Sequence, residues 1–280
     1  MMEPAADFAT RPRRRNLVFT SAGDHAGVDR WLRGRREFDL WVTYYGDGEG
    51  RYRELGEYYN ERKGAKFQNL AFIYEQWPNI IAGYDAVMVL DDDIVINVSA
   101  ISRLFRIREQ YDLWILQPAF SEGGKISHAI TKRNPRCRLR FTNFIEMNCP
   151  LFRRDKLDAF MAVYDPVLVG WGMDWWYMHV LGRTSPRKFA VIDVVPCVNP
   201  TEEAKGISVR EICRVQTVEE AKGAWKAFKQ RQGIDVNDEV MSECGRVMRS
   251  PLFVAACEVA HAAKMMKRKL RNRLKEIGRS

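Results

Sequence analysis

The sequence lacks the features that would place this chain across a membrane or in an oxidising compartment. No apolar run approaches the roughly 18 residues that a membrane-spanning helix needs. The six cysteines are scattered without a Cys-x-x-Cys pair, which disfavours a disulfide framework and a zinc site. No apolar segment follows the N-terminal arginines, so no signal peptide is predicted. We therefore expect a cytoplasmic protein with reduced thiols.

The middle of the chain carries no net charge. The sequence carries a formal charge of +9, but the excess lies at the two ends. Residues 264–280 contain eight Lys and Arg against Glu276, and residues 1–15 contain four Arg against Glu3 and Asp7. The chain between them has no net charge, whereas a nucleic-acid-binding domain usually has a basic surface built into its fold. We therefore expect no nucleic acid partner.

The sequence divides into three parts. Residues 1–15 predict a disordered basic N-terminus. Residues 16–200 contain most of the apolar segments, and the chain of 280 residues is long enough for one α/β domain with an appendage. Residues 201–280 predict a helical C-terminal extension, with helices at 218–232 and at about 252–277.

The last predicted helix, at about 252–277, is basic and amphipathic. Its apolar residues recur at steps of three or four, with Lys and Arg between them. Such a helix can bind an anionic membrane surface, and we expect a peripheral contact at the cytoplasmic face of a membrane. The alternative is that the apolar stripe packs on the body or on a second copy while the charges are solvated.

Strand and helix patterns alternate in the first half of residues 16–200. This order predicts β-α-β-α-β units and a parallel sheet. The predicted strands lie at 16–24, 38–45, 87–90, 113–118, 141–152 and 189–195, and the predicted helices at 28–32, 51–61, 67–76, 99–110, 156–164 and 173–181.

Three aspartates, Asp91, Asp92 and Asp93, directly follow the apolar strand Val87–Leu90. Because side chains alternate along a strand, Asp91 and Asp93 are expected to point the same way. Adjacent carboxylates repel one another unless a cation lies among them, and oxygen ligands suit Mg²⁺ or Mn²⁺, which usually bind with substrate phosphates. We predict that Asp91 and Asp93 are metal ligands. The alternative is a solvated acidic turn.

Other polar residues are expected at the same edge of the sheet. Thr20 and Ser21 follow the first predicted strand, and Asp47 lies between two glycines after the second. Ligands of α/β proteins bind beyond the carboxyl ends of parallel strands, so these residues are candidates for nucleotide contacts. Lys66 is a candidate for a phosphate contact. Ordinary turn chemistry and a solvated lysine are the competing explanations.

A second candidate region is Gly170-Trp171-Gly172-Met173-Asp174. Glycines permit a sharp turn, and Asp174 then falls in the first turn of a predicted helix, where the macrodipole favours an ionised carboxylate. A general base needs that state; the alternative is a helix-capping acid. Trp171 and Gly172 are predicted on the acceptor side, with Glu146, which lies among mostly apolar neighbours.

These motifs resemble those of known glycosyltransferases. Leu90–Asp93, after two β-α units, is similar to the DxD motif of the GT-A glycosyltransferases. Gly170–Asp174 is similar to a Gly-Trp-Gly-x-acid element of several inverting members, in which the acid is the base. The resemblance implies a GT-A-like, Rossmann-like nucleotide-diphospho-sugar transferase fold with a mostly parallel central sheet and a Mn²⁺ or Mg²⁺ cofactor.

Residues 16–200 resemble more closely a little-characterised GT-A-like family known as a domain of unknown function. That family has a His after the last strand, and the resemblance implies that this His is a third metal ligand. This chain has Asn199 instead, whose side-chain oxygen can also bind Mg²⁺ or Mn²⁺. The shared motifs are the Tyr-Tyr end of the second strand, Gly-x-Lys-Phe-x-Asn-Leu at 64–70, the DxD, Gln-Pro-Ala at 117–119 and Gly-Trp-Gly-x-Asp.

The leading hypothesis is a metal-dependent, inverting glycosyltransferase that moves a sugar from a nucleoside-diphosphate sugar to an acceptor hydroxyl. Asp91, Asp93 and Asn199 would bind the metal, Asp92 would contact the ribose or sugar of the donor, and Asp174 would be the base. The basic C-terminus suggests an acceptor that belongs to a surface polysaccharide or another glycan.

Two other functions fit parts of the sequence. A non-catalytic GT-A-like scaffold is consistent with Asn199 in place of the His. A haloacid-dehalogenase-like phosphatase is consistent with the Asp-x-Asp-x-Val pattern of Asp91–Val95. Those phosphatases usually have the motif after the first strand of the core, however, and no convincing paired-acid motif follows it here.

Overall fold

The computed structural model describes residues 12–185, 187–201, 203, 216–234, 240–252 and 266. The predicted helix at about 252–277 lies outside these residues except at Leu252 and Met266, so it stays a prediction. The described cysteines are free thiols, as expected: Cys137, Cys149, Cys197 and Cys244. Within the described ranges, no helix has the length and apolarity needed to cross a membrane.

Nine strands form a single sheet in the described residues, in the order β3-β2-β1-β4-β7-β5-β8-β6-β9. Their bounds are β1 Asn16–Ala22, β2 Asp39–Tyr44, β3 Tyr58–Glu61, β4 Ala86–Val89, β5 Ile115–Phe120, β6 Cys137–Thr142, β7 Leu151–Arg153, β8 Phe189–Cys197 and β9 Glu243–Met248.

Six α-helices accompany the sheet in the described ranges. They are α1 Lys66–Gln76, α2 Pro78–Ile81, α3 Val98–Gln110, α4 Arg154–Met161, α5 Met173–Val180 and α6 Val218–Gln232, and short 3-10 helices lie at Val28–Trp31 and Ala129–Thr131. The bounds of α6 agree with its prediction because Thr217 and Glu220 form a capping box at its start and Gly233 ends it in the left-handed conformation.

The sheet is mixed, so the prediction of a mostly parallel sheet is wrong. Strands β3, β2, β1 and β4 are parallel, and so are β5 and β8. Strand β7, however, runs antiparallel between β4 and β5, and β6 is antiparallel to both β8 and β9. The chain enters β7 from the edge where β4 ends, as the bond from Asp91 N to Asn148 O shows (2.8 Å). Strand β7 therefore runs in the direction opposite to that of β4 and β5.

The prediction of a helix at 51–61 is also wrong, because this segment forms turns followed by β3. Gly56 explains part of the difference, because a Cβ atom there would lie 2.6 Å from the carbonyl oxygen of Leu40. Glu57 contributes the rest, since its carboxylate accepts a hydrogen bond from Leu40 N (2.8 Å) and pairs with Arg36 (2.7 Å). These tertiary contacts align β3 with β2, and helix propensity cannot compete with them.

Two apolar layers enclose the sheet. Side chains alternate along the strands, so that Leu17 and Phe19 face one layer while Val18 faces the other. The first layer also contains buried residues of α1, α4, α5 and α6, and the second contains α3 and the 3-10 helix at Val28–Trp31. Strand β9 and helix α6 come from the predicted 201–280 extension, and both pack into this one domain.

Residues 12–15, predicted to be disordered with the rest of 1–15, are anchored to the sheet. Arg14 forms ion pairs with Asp39 (2.8 Å) and Glu57 (2.9 Å). The fully buried Asp39 also accepts hydrogen bonds from Arg13 N (2.7 Å) and from the hydroxyl of Tyr84 (2.9 Å). Asp39 thereby joins the N-terminal segment to the start of β2.

Replacing Asp39 should destabilise the fold strongly. In Asp39→Ala, the Arg14 guanidinium and the Tyr84 hydroxyl lose their buried acceptor, and breaking such a pair costs about 3 kcal/mol. Urea denaturation should show this loss. The control is Asp29→Ala, which removes an exposed pair with Arg33 and should change stability by about 0.5 kcal/mol or less. Equal effects for the two variants would contradict the role given to Asp39.

Candidate active site

The loops after β1, β2 and β4 meet at one edge of the sheet, as the sequence predicted. Gly23 N, just after β1, donates to Oδ2 of Asp92 (2.8 Å), and Gly27 N donates to the Asp92 carbonyl (2.7 Å). Asp24 accepts hydrogen bonds from the hydroxyl of Tyr44 and from Asp47 N (3.1 Å). A continuous set of hydrogen bonds therefore connects the three loops.

The three aspartates stand in a turn and not at the end of a strand. Strand β4 ends at Val89, and Ile94 N donates to the Asp91 carbonyl (3.3 Å) to close the turn. Strand alternation therefore does not determine where Asp91 and Asp93 point, and the expectation based on it does not apply.

The ammonium group of Lys66 forms an ion pair with the carboxylate of Asp91. Its ammonium is 2.5 Å from Oδ1 of Asp91, donates to the Met147 carbonyl at 2.6 Å, and is 3.4 Å from the Asn148 carbonyl oxygen. The Lys66 side chain is only 8% exposed. This buried cation offsets one of the three adjacent negative charges and connects the start of α1 to the segment before β7.

Glu146 is a buried carboxyl group next to this turn. Its backbone N–H donates to Oε1 of Gln117 (2.6 Å), and the hydroxyl of Thr131 lies 3.3 Å from its Oε2. Burial raises the pKa of Glu146 to about 7, and the negative charges of Asp174 and Asp91 contribute to this increase. The structure therefore brings three predicted carboxylates, Asp91, Glu146 and Asp174, into one electrostatic cluster.

Helix α5 presents Asp174 to the cluster. Gly172 precedes the helix with a φ of +86°, and a Cβ atom there would lie 2.2 Å from the ring of Trp225 in α6. Only glycine can adopt this positive φ and also leave room for the ring of Trp225. Asp174 then lies in the first helical turn, 9% exposed, where the helix macrodipole favours its ionised form.

The hydroxyl of Tyr177 ties α5 to the segment that carries Glu146. It donates to the Ile145 carbonyl at 2.5 Å, and the whole residue is buried. Burial raises the pKa of Tyr177 far above its ordinary value, so the hydroxyl stays protonated. Trp171, by contrast, is 51% exposed at the entrance of α5, and the Lys222 ammonium lies 5.0 Å from its ring centroid.

Two of the predicted nucleotide contacts lie elsewhere than expected, and a third, in its predicted loop, is paired with a lysine. Thr20 and Ser21 belong to β1 itself and are buried, and the Ser21 hydroxyl accepts a hydrogen bond from Asn69 (2.9 Å). Asp47 lies in the loop after β2, but its exposed carboxylate pairs with Lys63 (2.5 Å). The loop residues that reach Asp92 are Gly23 and Gly27, which the sequence analysis did not single out.

Asn199 lies beside the acidic turn. Val198 pairs with Val95 through two backbone hydrogen bonds (2.9 and 3.1 Å), which brings Asn199 alongside the residues that follow Asp93. The backbone of Gly124 packs on the Asn199 carbonyl, where a Cβ atom would come within 2.3 Å. Asn199 is buried at this edge.

The donor set suits a divalent ion that arrives with phosphates better than a permanent metal cage. No group of three or more His, Cys, Asp or Glu among the described residues could hold a metal ion. Mg²⁺ needs no such group, because it usually binds through one or two carboxylates together with waters and substrate phosphates. The oxygen ligands of the acidic turn fit that description.

Two residues that support the cluster, Gln117 and Tyr177, were not predicted from the sequence. Gln117, whose side chain orients the Glu146 backbone, appeared only as part of the Gln-Pro-Ala motif. Tyr177 lies in a row of apolar residues in α5 and gave no signal, because its bond to Ile145 spans 32 positions.

Glu146 should make stability depend on pH. Its folded pKa of about 7 exceeds the ordinary 4.5, so its protonated form stabilises the fold. This contribution is complete below pH 4.5 and is lost as the pH rises to about 7, which amounts to roughly 3 kcal/mol at about 1.4 kcal/mol per unit. The free energy of unfolding of the wild type should therefore fall relative to Glu146→Gln between these pH values. A constant difference between the two proteins would contradict the buried neutral acid.

Gly172 should tolerate no side chain. Gly172→Ala should cost about 3 kcal/mol, because alanine resists the left-handed conformation and collides with Trp225. The matched control is Gly223→Ala in the middle of α6, where a Cβ atom meets nothing within 4 Å and should stabilise the helix by about 1 kcal/mol. Thermal and urea denaturation measure both changes. A neutral Gly172→Ala would refute this packing.

Comparisons with known proteins were made on both sequence and structure. No protein-family model and no curated protein matches the chain. Residues 1–349 of S. aureus TarS superpose with a TM-score of 0.51 at 11% identity, over 80% of this chain and 77% of that one. A mycobacterial protein gives a TM-score of 0.50 at 12% identity over 84% of each chain. TarS 1–349 in complex with UDP-GlcNAc gives a TM-score of 0.49 at 11% identity, over 80% of this chain and 77% of that one.

At such low identities the likeness shows the fold alone. The chain has the mixed α/β fold of TarS, a glycosyltransferase, in agreement with the predicted GT-A-like fold. The closer resemblance to a domain of unknown function stays a prediction, since no family model supports it.

Proposed function

We propose that this protein transfers a sugar from a nucleoside-diphosphate sugar to an acceptor hydroxyl, with inversion at the anomeric carbon. The observation that supports this best is the cluster of Asp91, Glu146 and Asp174 at the edge where the loops after β1, β2 and β4 meet. In open α/β sheets, ligands bind outside the carboxyl ends of the strands. The TarS fold is a second, coarser support.

The donor side of the site is the edge of the sheet where the acidic turn lies. Asp92 accepts a hydrogen bond from Gly23 N, and in this proposal its carboxylate would also contact a ribose or sugar hydroxyl of the donor. Asp93 and Asn199 would supply oxygen ligands for a divalent ion, Mn²⁺ or Mg²⁺, and Asp91, which pairs with Lys66, would supply a third. When bound, that ion would neutralise charge on the diphosphate.

The acceptor side is the start of α5. Asp174 accepts the proton of the acceptor hydroxyl, whose oxygen forms a bond to the anomeric carbon while the bond from that carbon to the diphosphate breaks. Burial and the charge of Asp174 raise the pKa of Glu146 to about 7, so Asp174 is the carboxylate that serves as the base. The exposed ring of Trp171 offers an apolar face for the acceptor sugar to stack on.

A donor-binding and turnover experiment tests this function. TarS was crystallised with UDP-GlcNAc, so UDP and UDP-GlcNAc are the first ligands to test, each with Mn²⁺, Mg²⁺ or EDTA. Ligand at 100 times its dissociation constant should stabilise the protein by about 2.7 kcal/mol. Asp93→Asn should lose the metal-dependent stabilisation. Asp174→Asn should retain it but release UDP at least about a hundredfold more slowly, since a general base contributes that much or more.

The control is Glu37→Gln, which changes an exposed acid just before β2, at the edge of the sheet opposite the acidic turn, and should bind and turn over donor like the wild type. Stabilisation by UDP with no release of UDP from the sugar nucleotide, in the presence of glycan acceptors, would favour the non-catalytic scaffold. No stabilisation by any nucleoside diphosphate would contradict the donor site.

A further inference from the structure

The loop from Gly23 to Gly27, here the β1 loop, is held from two sides. On one side it contacts the turn after β4, because Gly23 N donates to Oδ2 of Asp92 (2.8 Å) and Gly27 N donates to its carbonyl (2.7 Å). On the other side it contacts two tyrosines, Tyr44 at the end of β2 and Tyr52 in the segment that follows. The β1 loop therefore connects the two tyrosines to the residue that we assign to the donor.

The hydroxyl of Tyr44 both donates and accepts a hydrogen bond. It donates to Oδ1 of Asp24, the second residue of the β1 loop, and it accepts from Gly48 N (2.7 Å). Tyr44 is only 2% exposed. The hydrogen bond from Tyr44, followed by the one from Asp47 N, lowers the pKa of the Asp24 carboxyl. Asp24 is therefore ionised at neutral pH, and a hydrogen bond to an ionised acceptor is stronger than one between neutral groups.

The backbone after β2 packs closely around this hydrogen bond. A Cβ atom at Gly46 would lie 2.5 Å from Oδ1 of Asp24, and a Cβ atom at Gly48 would lie 2.9 Å from the Tyr44 hydroxyl. A side chain at either position would push the backbone away from the bonded pair. The two glycines therefore allow the segment after β2 to reach the β1 loop.

Tyr52 makes the second attachment to the β1 loop from a strained backbone. Its φ is +67°, in the left-handed region that is unfavourable for a residue with a Cβ atom. Its hydroxyl lies 3.1 Å from the Asp24 carbonyl oxygen and 3.4 Å from the Ala26 carbonyl oxygen. Its ring meets that of Tyr44 edge-on, with the centroids 6.0 Å apart. Such strain persists where surrounding contacts stabilise it, and it is concentrated at ligand-binding and active sites.

We propose that Tyr44 and Tyr52 are positioning residues for the sugar-nucleotide donor, which act on Asp92 through the β1 loop. The inference rests on the proposed function, in which the Asp92 carboxylate contacts a ribose or sugar hydroxyl. The β1 loop fixes Asp92 at its carboxylate and at its backbone, and the tyrosines fix the loop. The donor side is thus ordered before the donor binds, which reduces the entropy lost on binding. Donor affinity should therefore depend on the two tyrosine hydroxyls.

Steady-state release of UDP from UDP-GlcNAc, with Mn²⁺ and glycan acceptors, compares Tyr44→Phe with Tyr74→Phe. Both variants lose a tyrosine hydroxyl that is bonded to an aspartate, but Tyr74 lies near the end of α1 and bonds to Asp158 of α4 (3.3 Å). Tyr44→Phe should raise KM for the donor about tenfold. Its kcat should stay within about twofold, because the lost contact is equal in the ground state and the transition state. Tyr74→Phe should change neither constant.

A double-mutant cycle tests whether Tyr44 acts through Asp92. Asp92→Asn alone should weaken the binding of UDP-GlcNAc, measured by calorimetry with Mn²⁺. Adding Tyr44→Phe should then weaken binding by no more than about twofold, since the effects of two residues that act as one unit do not add. A full further loss of about tenfold would show that Tyr44 contributes independently of Asp92, and it would overturn the proposal.

Hydrogen exchange separates a failure of this inference from a failure of the proposed function. In the ligand-free protein, Tyr44→Phe and Tyr52→Phe should each speed amide exchange in the β1 loop at least about fivefold, because each loosens the loop locally. Tyr74→Phe should leave that exchange unchanged. If the wild type binds no nucleoside diphosphate and exchange still responds in this way, the proposed function fails while the positioning role of the tyrosines stands. Unchanged exchange in both variants would overturn that role.

Discussion

The buried ammonium of Lys66 is the contact on which the geometry of the acidic site depends. Three adjacent aspartates are unfavourable together, and Lys66 compensates one of them by direct contact with Asp91. The same group bonds to the Met147 carbonyl and so fixes the segment before β7. A charge that the sequence suggested for a ligand phosphate is therefore used inside the protein, where it holds Asp91 and the segment before β7 together.

The antiparallel strand β7 has a comparable influence on the site. Because it enters the sheet beside the end of β4, residues 145–148 run past the acidic turn before the strand begins. This brings Glu146 beside Asp91 and gives Tyr177 of α5 a carbonyl to bond. In a fully parallel sheet, the strand beside β4 would begin at the opposite edge of the sheet. The carboxylates of Glu146 and Asp91 would then not lie close together.

The sequence predicted those features whose causes are local. Helix α6 was predicted with its correct bounds because its capping box and terminal glycine lie within a few residues, and the strand before Asp91 was recognised from a short apolar run. Strands β3 and β9 were missed because their residues are mixed in polarity and become strands only by pairing with β2 and β6. The partners of Lys66 and Glu146 lie 15 to 82 positions away, and no pattern in one sequence reveals such pairs.

The contact between Gly172 and Trp225 makes helix α6 a support of the turn before Asp174. The indole ring of Trp225, on α6, fills the space where a side chain at position 172 would otherwise stand, and Trp225 and Phe228 pack in the same apolar layer as α5. A fragment ending near residue 200, which the motifs alone would delimit as a domain, would leave the turn before Asp174 without its support. The chain therefore cannot be divided near residue 200, where the motifs end, without the loss of this contact.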